Sequence, residues 1–115
     1  MIDPEHLRLF VYGTLTREAK RVRLLGRSIR ATPARLRGYF RGRSKYYFVA
    51  RRDGTETVGV VLLDLTDRDF EILDRYENVP RLYARERIEV IDSAGQALEC
   101  WIYLPTAWAT DAGIS

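Results

Sequence analysis

Residues 11–15 read VYGTL and close an apolar stretch near the start of the chain. An apolar run that ends on glycine and threonine predicts a β-strand over 7–12 followed by a sharp turn. Residues 15–25 then carry apolar side chains at helical spacing, which predicts a helix. A strand that turns directly into a helix exposes backbone N–H groups, and these groups serve packing or hold an anion. Which of the two applies to the turn at 13–15 depends on what the rest of the chain places beside it.

Glycine and proline interrupt the middle of the chain. Residues 27–40 are predicted to be extended but broken at Pro33. Short strands are predicted over 46–50 and 56–65, and Asp53-Gly54 between them is typical of a tight β-hairpin turn.

A second helix and two further strands complete the pattern. Thr66 and Asp69 have the spacing of a capping box, which predicts a helix over 67–77. Alternating polar and apolar residues predict strands over 82–91 and 98–104. The order of these elements predicts an α+β fold: a small mixed sheet of about six strands that curls into a barrel-like core, with two main helices.

The length of 115 residues fits a single domain over 1–115, with its core over about 7–104 and a tail over 105–115. The longest apolar run, within 58–63, is too short to span a bilayer, and the N-terminus lacks the basic region and apolar core of a signal peptide. We therefore expect a cytoplasmic protein without a membrane partner.

Cys100 is the only cysteine of the chain and His6 is the only histidine. The sequence therefore excludes an internal disulfide and a metal site built on several cysteines or histidines. A Ser-His-Asp triad or a Cys–His pair would need His6 itself. If the protein is an enzyme, this composition favours a carboxylate as its acid or base.

Charge is divided unevenly along the chain. Residues 17–52 hold 13 Arg and Lys against one acid, and residues 53–115 hold 5 basic against 13 acidic residues. A segment as basic as 17–52 is compatible with a nucleic-acid-binding surface. We favour the alternative, in which the acidic half folds onto the basic half, because most of these arginines alternate with apolar residues. Nucleic acid is then expected to bind weakly if at all.

The second predicted helix ends its apolar face on a carboxylate. Phe70, Leu73 and Glu77 lie on one stripe of this helix. Burial and the helix dipole would both raise the pKa of Glu77, as a general acid/base requires. Alternatively, the helix frays early and Glu77 turns to water or pairs with Arg81 or Arg85. The pattern by itself leaves both interpretations open.

Two motifs identify a family. Tyr12-Gly13-Thr14-Leu15 follows the first strand, and Leu73-Asp74-Arg75-Tyr76-Glu77 precedes Leu82-Tyr83-Ala84-Arg85 at the start of a later strand. In this order and spacing they resemble the γ-glutamylcyclotransferase-like family, including its avirulence-induced-gene-like members. Val58-Gly59-Val60-Val61 is also similar to the family's strand before the catalytic helix. The resemblance covers about residues 8–104 and implies the family's fold.

The resemblance implies an enzyme that cyclises the γ-glutamyl group of a small-molecule γ-glutamyl amine or peptide to 5-oxoproline, without metal or other cofactor. It implies that Glu77 is the catalytic acid/base, that Tyr83 and Arg85 support the site, and that the substrate loop consists of Tyr12, Gly13, Thr14 and Leu15. One alternative is a non-catalytic member of the same fold that binds a small amino-acid-like ligand. A less favoured alternative is a nucleic-acid-binding module that uses residues 17–52.

The chain departs from the family pattern in two places. Asn78 stands where the family usually has glycine, and at a helix end it is predicted to adopt the left-handed conformation of a C-cap. Residues 41–52, RGRSKYYFVARR, lack the glycine- and proline-rich segment that often lines the pocket. We predict that the strand 7–12, the turn at 13–15 and Glu77 meet around one pocket.

Overall fold

The structure, a computed structural model, describes residues 8–43, 46–107 and 109. Its strands are β1 (Leu9–Val11), β2 (Ala31–Arg43), β3 (Tyr47–Leu62), β4 (Tyr83–Asp92) and β5 (Ala97–Pro105). Its main helices are α1 (Glu18–Leu25) and α2 (Asp67–Tyr76), and a 3-10 turn at Thr14–Thr16 precedes α1. No helix formed by these residues is long and apolar enough to cross a membrane. His6 and residues 110–115 of the predicted tail lie outside the described residues.

The strands close into a barrel in the order β1-β3-β2-β4-β5. β1 runs parallel to β5, and the other neighbouring pairs are antiparallel. The predicted α+β class, the mixed sheet and the barrel-like curl are therefore confirmed. The described residues form five strands in place of the predicted six.

The number of strands is five rather than six because the prediction of a hairpin at Asp53-Gly54 is wrong, and one strand runs through this position. The register between β2 and β3 shifts from Arg37 opposite Glu56 to Tyr39 opposite Arg51, so residues 52–55 bulge out of one continuous strand. Gly54 has a φ of +81°, a conformation that suits a bulge as well as a hairpin turn. The predicted strands 46–50 and 56–65 are therefore halves of β3, and the chain reverses before Tyr47.

Pro33 does not interrupt β2 as predicted. It lies opposite Val60 of β3, and the pairing of β2 with β4 begins only at Ala34. One edge of β2 is therefore unpaired at Pro33, and an unpaired edge is where a strand accommodates a residue without an N–H group.

The strand β1 separates two parts of the core. Successive side chains of a strand point to opposite faces, so Leu9 and Val11 pack beneath the helices while Phe10 packs inside the barrel. All three residues are at most 5% exposed. An entirely apolar β1 is therefore required by burial on both faces, and the chain leaves it at one end of the barrel.

Both ends of α2 follow the sequence prediction closely. The Thr66 hydroxyl accepts a hydrogen bond from the Asp69 N–H, and the Asp69 carboxylate accepts one from the Thr66 N–H, so the capping box is confirmed. Asn78 has a φ of +56°, which confirms its left-handed conformation. The helix ends at Tyr76, so Glu77 is its C-cap rather than part of its last turn. Phe70 and Leu73 bury the apolar face of the helix.

Charge pairing between the two halves of the chain is confirmed only in part. Arg27 pairs with Asp69, Arg30 Nε lies 2.9 Å from Asp64 Oδ2, and Arg35 Nη1 lies 3.9 Å from Glu56 Oε2. No ion pair joins the arginines of residues 37–52 to an acid among the described residues. Several of these arginines contact aromatic rings instead.

Close contact between β1 and β3 predicts the effect of one substitution. A Cβ atom at Gly59 would lie 2.3 Å from the Val11 carbonyl oxygen and 2.7 Å from Phe10 Cζ. Gly59→Ala therefore requires backbone movement, and we expect it to lower the free energy of unfolding by about 2–3 kcal/mol, a typical cost of overpacking. Val58→Ala is the control, because Val58 is 66% exposed on the same strand and its truncation costs less than about 1 kcal/mol. Urea unfolding measures both, and equal midpoints would contradict the prediction.

Candidate active site

A cavity of about 540 Å³ lies where β1 ends and α2 ends. Of the predicted site residues, those that line it are Tyr12, Gly13, Thr14, Leu15, Glu77 and Tyr83. The end of the first strand, the turn at 13–15 and Glu77 therefore meet around one pocket, as predicted.

The turn at 13–15 is held tightly against the barrel. The Gly13 carbonyl accepts hydrogen bonds from the Thr16 N–H at 3.1 Å and the Thr16 hydroxyl at 2.7 Å. A Cβ atom at Gly13 would lie 3.2 Å from Cβ and Cδ2 of Tyr47, so the approach of this ring favours glycine. The Thr14 hydroxyl lies 3.0 Å from the Tyr76 hydroxyl, which joins the turn to the end of α2. The backbone N–H groups of residues 13–15 donate no hydrogen bond to another described residue, and all three residues line the cavity.

Glu77 is positioned by the way in which α2 ends. Its N–H donates to the Leu73 carbonyl at 2.9 Å, and the left-handed Asn78 turns the chain away. No hydrogen bond or ion pair joins the Glu77 carboxylate to another described residue. Burial raises the pKa of Glu77 from an ordinary value of 4.5 to about 7. A carboxyl group with this pKa can both accept and donate a proton near neutral pH.

The tyrosines around Glu77 are fixed by their hydroxyl groups. Tyr12 donates to the Tyr103 carbonyl at 2.6 Å, and Tyr83 donates to the Tyr47 carbonyl at 2.6 Å. Burial and the negative charge of Glu77 raise the pKa of Tyr83 to about 12, and burial raises the pKa of Tyr12 well above its usual value. These phenols therefore stay protonated near neutral pH and shape the cavity, while Glu77 is the group suited to proton exchange.

Arg85 does not line the cavity. Its Nε lies 3.1 Å from Asp74 Oδ1, and its guanidinium carbon lies 4.7 Å and 5.2 Å from the ring centres of Phe70 and Trp101. The same Asp74 oxygen accepts a hydrogen bond from the Tyr103 hydroxyl at 2.6 Å. Arg85 thus acts on the cavity wall through Asp74 and Tyr103, and it is not paired with Glu77.

Arg21 is a supporting residue that the sequence analysis missed. It is only 6% exposed, and its Nη1 donates to the carbonyls of Leu15 at 3.0 Å and Thr16 at 2.9 Å. These bonds tie α1 to the turn that forms one side of the cavity. Arg21 shares α1 with Arg23 and belongs to a segment rich in arginine, so its spacing in the sequence does not distinguish it from the exposed arginines.

The chain belongs to the family described as gamma-glutamyl cyclotransferase, AIG2-like, whose sequence model matches residues 9–113. This confirms the family resemblance. A protein of Methanocaldococcus jannaschii, named as a gamma-glutamylcyclotransferase with a suggested RNase activity, is 30% identical over 99 residues. That match covers 84% of this chain and 45% of the relative, so the chain spans less than half of the relative's length.

Solved structures share the fold. A protein of Arabidopsis thaliana superposes with a TM-score of 0.80 at 22% identity, over 96% of this chain and 76% of that one. A structure named gamma-glutamyl cyclotransferase superposes with a TM-score of 0.73 at 23% identity, over 87% of this chain and 66% of that one. At these identities the similarity establishes the architecture of the barrel and its helices.

The buried position of Arg21 predicts a specific loss of stability. Arg21→Met keeps the apolar stem but removes both hydrogen bonds to the 15–16 carbonyls, and we expect the free energy of unfolding to fall by about 2 kcal/mol. Arg23→Met is the control, because Arg23 is exposed on the same helix and should change stability by less than about 0.5 kcal/mol. Chemical denaturation of both variants tests this, and an equal effect of the two substitutions would contradict it.

The raised pKa of Glu77 predicts a pH-dependent stability. Below pH 4.5 the carboxyl group is protonated in both states; as pH rises towards 7 it ionises in the unfolded chain but not in the folded one. Folding therefore loses stability over this range, by roughly 1–3 kcal/mol at pH 8. Glu77→Gln lacks this titration and should gain stability over the wild type between pH 4.5 and 8.

The control for this measurement is Glu71→Gln, because Glu71 is exposed on the outer side of α2. Its stability should follow that of the wild type across the pH range. Denaturant unfolding at several pH values gives the comparison. Parallel pH profiles for wild type and Glu77→Gln would mean that Glu77 titrates normally in the folded protein.

Proposed function

We propose that the protein is a γ-glutamylcyclotransferase that converts the γ-glutamyl group of a small-molecule amine or peptide to 5-oxoproline and releases the amine. The observation that carries the proposal is the Glu77 carboxylate, which shares a cavity with the 12–15 turn and is paired with no cation among the described residues. Membership of the family and the name of the archaeal relative support the same activity.

In the first step, Glu77 takes a proton from the substrate's α-amino group. The pKa of an α-amino group is about 8, so a carboxylate with a pKa near 7 is a suitable acceptor. The freed nitrogen lone pair attacks the γ-carbonyl carbon, and the C=O electrons move onto oxygen. The new C–N bond closes a five-membered ring.

In the second step, the tetrahedral intermediate collapses. The attacking nitrogen still carries one proton more than the lactam nitrogen of the product. The oxyanion re-forms the carbonyl, the bond to the leaving nitrogen breaks, and Glu77 gives its proton to that nitrogen. Glu77 then takes the extra proton from the ring nitrogen and passes it to the released amine. The products are 5-oxoproline and the amine as its ammonium ion, and Glu77 is again ionised. The proposed reaction scheme uses no water, metal or other cofactor.

The 13–15 turn supplies the binding part of the proposal. Its N–H groups are donors for the substrate's α-carboxylate or for the oxyanion, as backbone groups often are in sites of acyl transfer. Tyr12 and Tyr83 form part of the cavity wall, and Arg85 helps to hold Tyr103 in place through Asp74. Because the attack is intramolecular, the main task of the site is to hold the substrate bent.

The alternative, a non-catalytic member of the family that binds a small ligand, uses the same cavity. Turnover distinguishes the two, since only the enzyme releases 5-oxoproline from a panel of γ-glutamyl amines and peptides. Weak binding of nucleic acid remains a prediction, and it now depends on the dispersal of the arginines rather than on complete pairing with acids.

The proposal predicts the behaviour of Glu77→Gln. The amide has nearly the size of the carboxyl group and leaves the 13–15 turn untouched, so the fold and substrate binding should be retained. Turnover should fall by about two to four orders of magnitude, the usual contribution of a positioned acid/base. Release of 5-oxoproline gives the rate, and calorimetric titration with substrate gives the affinity.

Glu71→Gln is again the control and should keep the wild-type rate. The competing interpretation, in which Glu77 has only a structural role, predicts a small loss of stability and nearly unchanged turnover for Glu77→Gln. A near wild-type rate in this variant would exclude Glu77 as the catalyst.

A further inference from the structure

Three tyrosine hydroxyls surround Glu77, and none of them donates to it. Tyr12, Tyr83 and Tyr103 line the cavity with Glu77. Burial raises the pKa of each tyrosine, and the negative charge of Glu77 adds to this rise, so all three phenol groups lie close enough to feel that charge. A carboxylate that accepts a hydrogen bond from a neighbouring hydroxyl has a lower pKa, because the bond stabilises its ionised form. These three hydroxyls are therefore the donors that would be expected to pair with Glu77.

Each hydroxyl proton is instead held by another acceptor. Tyr12 donates to the Tyr103 carbonyl and Tyr83 donates to the Tyr47 carbonyl, both at 2.6 Å. The Tyr103 hydroxyl donates to Asp74 Oδ1, also at 2.6 Å. A phenol has a single proton, so a hydroxyl that donates to one of these acceptors has none left for the carboxylate in the cavity.

Asp74 is the only side chain among these three acceptors, since the other two are backbone carbonyls. Asp74 and Glu77 lie three residues apart at the end of α2. On its other side, Arg85 Nε lies 3.1 Å from the same Asp74 Oδ1 atom, and the Arg85 guanidinium group is stacked on two aromatic rings. These contacts fix the Asp74 carboxylate in the place where it accepts from Tyr103.

The cavity offers Glu77 no other partner within the described part of the chain. The other titratable residues that line the cavity are Arg43, Tyr46, Tyr47, Arg75 and Tyr76. No hydrogen bond or ion pair joins any of them to the Glu77 carboxylate among the described residues. Of the three surrounding hydroxyls, that of Tyr103 is thus the one whose direction depends on a side chain.

We propose that Asp74 is a positioning residue that turns the Tyr103 hydroxyl away from Glu77, so that the Glu77 carboxylate stays without a donor and can exchange a proton with the substrate. The inference rests on the proposed function for its meaning in catalysis. Without Asp74, the Tyr103 hydroxyl rotates about its C–O bond, donates to Glu77 and stabilises the ionised form. Glu77 is then a weaker base, and removal of the proton from the substrate's amine becomes slower.

The test measures the pKa of Glu77 directly, by NMR titration of the side-chain carboxyl carbons. The Glu77 signal is assigned by its absence in Glu77→Gln. Asp74→Ala removes the acceptor, and we expect it to lower the pKa of Glu77 from about 7 by about 1–2. Part of this change comes from the loss of the negative charge of Asp74, and the remainder comes from the released hydroxyl of Tyr103.

Tyr103→Phe separates these two contributions. It has no hydroxyl to donate, so alone it should change the pKa of Glu77 by less than about 0.5. In the Tyr103→Phe background, Asp74→Ala should lower this pKa by less than half as much as in the wild type, because only the effect of the charge remains. An equal fall in both backgrounds, or no fall in Asp74→Ala, would overturn the inference.

The matched control is Glu71→Ala, which removes an exposed carboxylate from the same helix and should leave the pKa of Glu77 within about 0.2 of its wild-type value. If Asp74→Ala does not fold, Asp74→Leu serves as the second variant. Leucine has nearly the shape of aspartate but cannot accept a hydrogen bond, so it carries the same expectation in both backgrounds.

Turnover gives a second, separate readout. Because kcat/KM reports the pKa of an essential base in the free enzyme, its acid limb should move to lower pH in Asp74→Ala, and by less than half as much in the Tyr103→Phe background. An acid limb that stays in place in Asp74→Ala would overturn the inference. If the wild type releases no 5-oxoproline, the proposed function fails, and the NMR titration still decides whether Asp74 keeps the Tyr103 hydroxyl from Glu77.

Discussion

The burial of β1 on both of its faces is the constraint on which the rest of the structure depends. Three residues, Leu9–Val11, pair with β3 on one side and β5 on the other, so they close the barrel. Alternate side chains of this strand enter the two parts of the core, and Gly59 lets β3 approach it closely. The chain leaves β1 at one end of the barrel, which positions Tyr12 and Gly13 at the cavity. A strand placed so deeply gives the turn that follows it a rigid base.

The end of α2 provides the other side of the cavity by a different mechanism. The capping box at Thr66 begins the helix, the left-handed Asn78 ends it, and burial of Phe70 and Leu73 sets its rotation. These three constraints leave Glu77 facing the cavity. Removing a carboxylate from water destabilises its ionised form, so Glu77 keeps its proton to a higher pH and its pKa is raised. The packing of α2 offsets this loss of stability, and the proposed acid/base catalysis depends on the raised pKa.

Residues outside the cavity hold its walls through hydrogen bonds to backbone and carboxylate groups. Arg21 of α1 donates to the carbonyls of the turn, while Asp74 of α2, which pairs with Arg85, accepts a hydrogen bond from the Tyr103 hydroxyl. Arg43 differs from both because it faces the cavity and makes its contact with a ring. Arginine thus contributes to this site both as a support behind the wall and as part of the wall. The support by Arg21 comes from Nη1 alone, since its buried Nε has no hydrogen-bond partner among the described residues.

The sequence alone determined the features that depend on local chemistry. The turn after β1, the capping box, the left-handed Asn78 and the acid on the apolar stripe were all predicted, because propensity, capping and periodicity act over a few residues. The tertiary structure decided how strands pair and which charges meet. Asp53-Gly54 fits a bulge as well as a hairpin, and only the register between β2 and β3 chooses between them. The contacts of Arg21, Arg43 and Arg85 could not be separated by sequence either, since an arginine's partners come from elements distant in the chain.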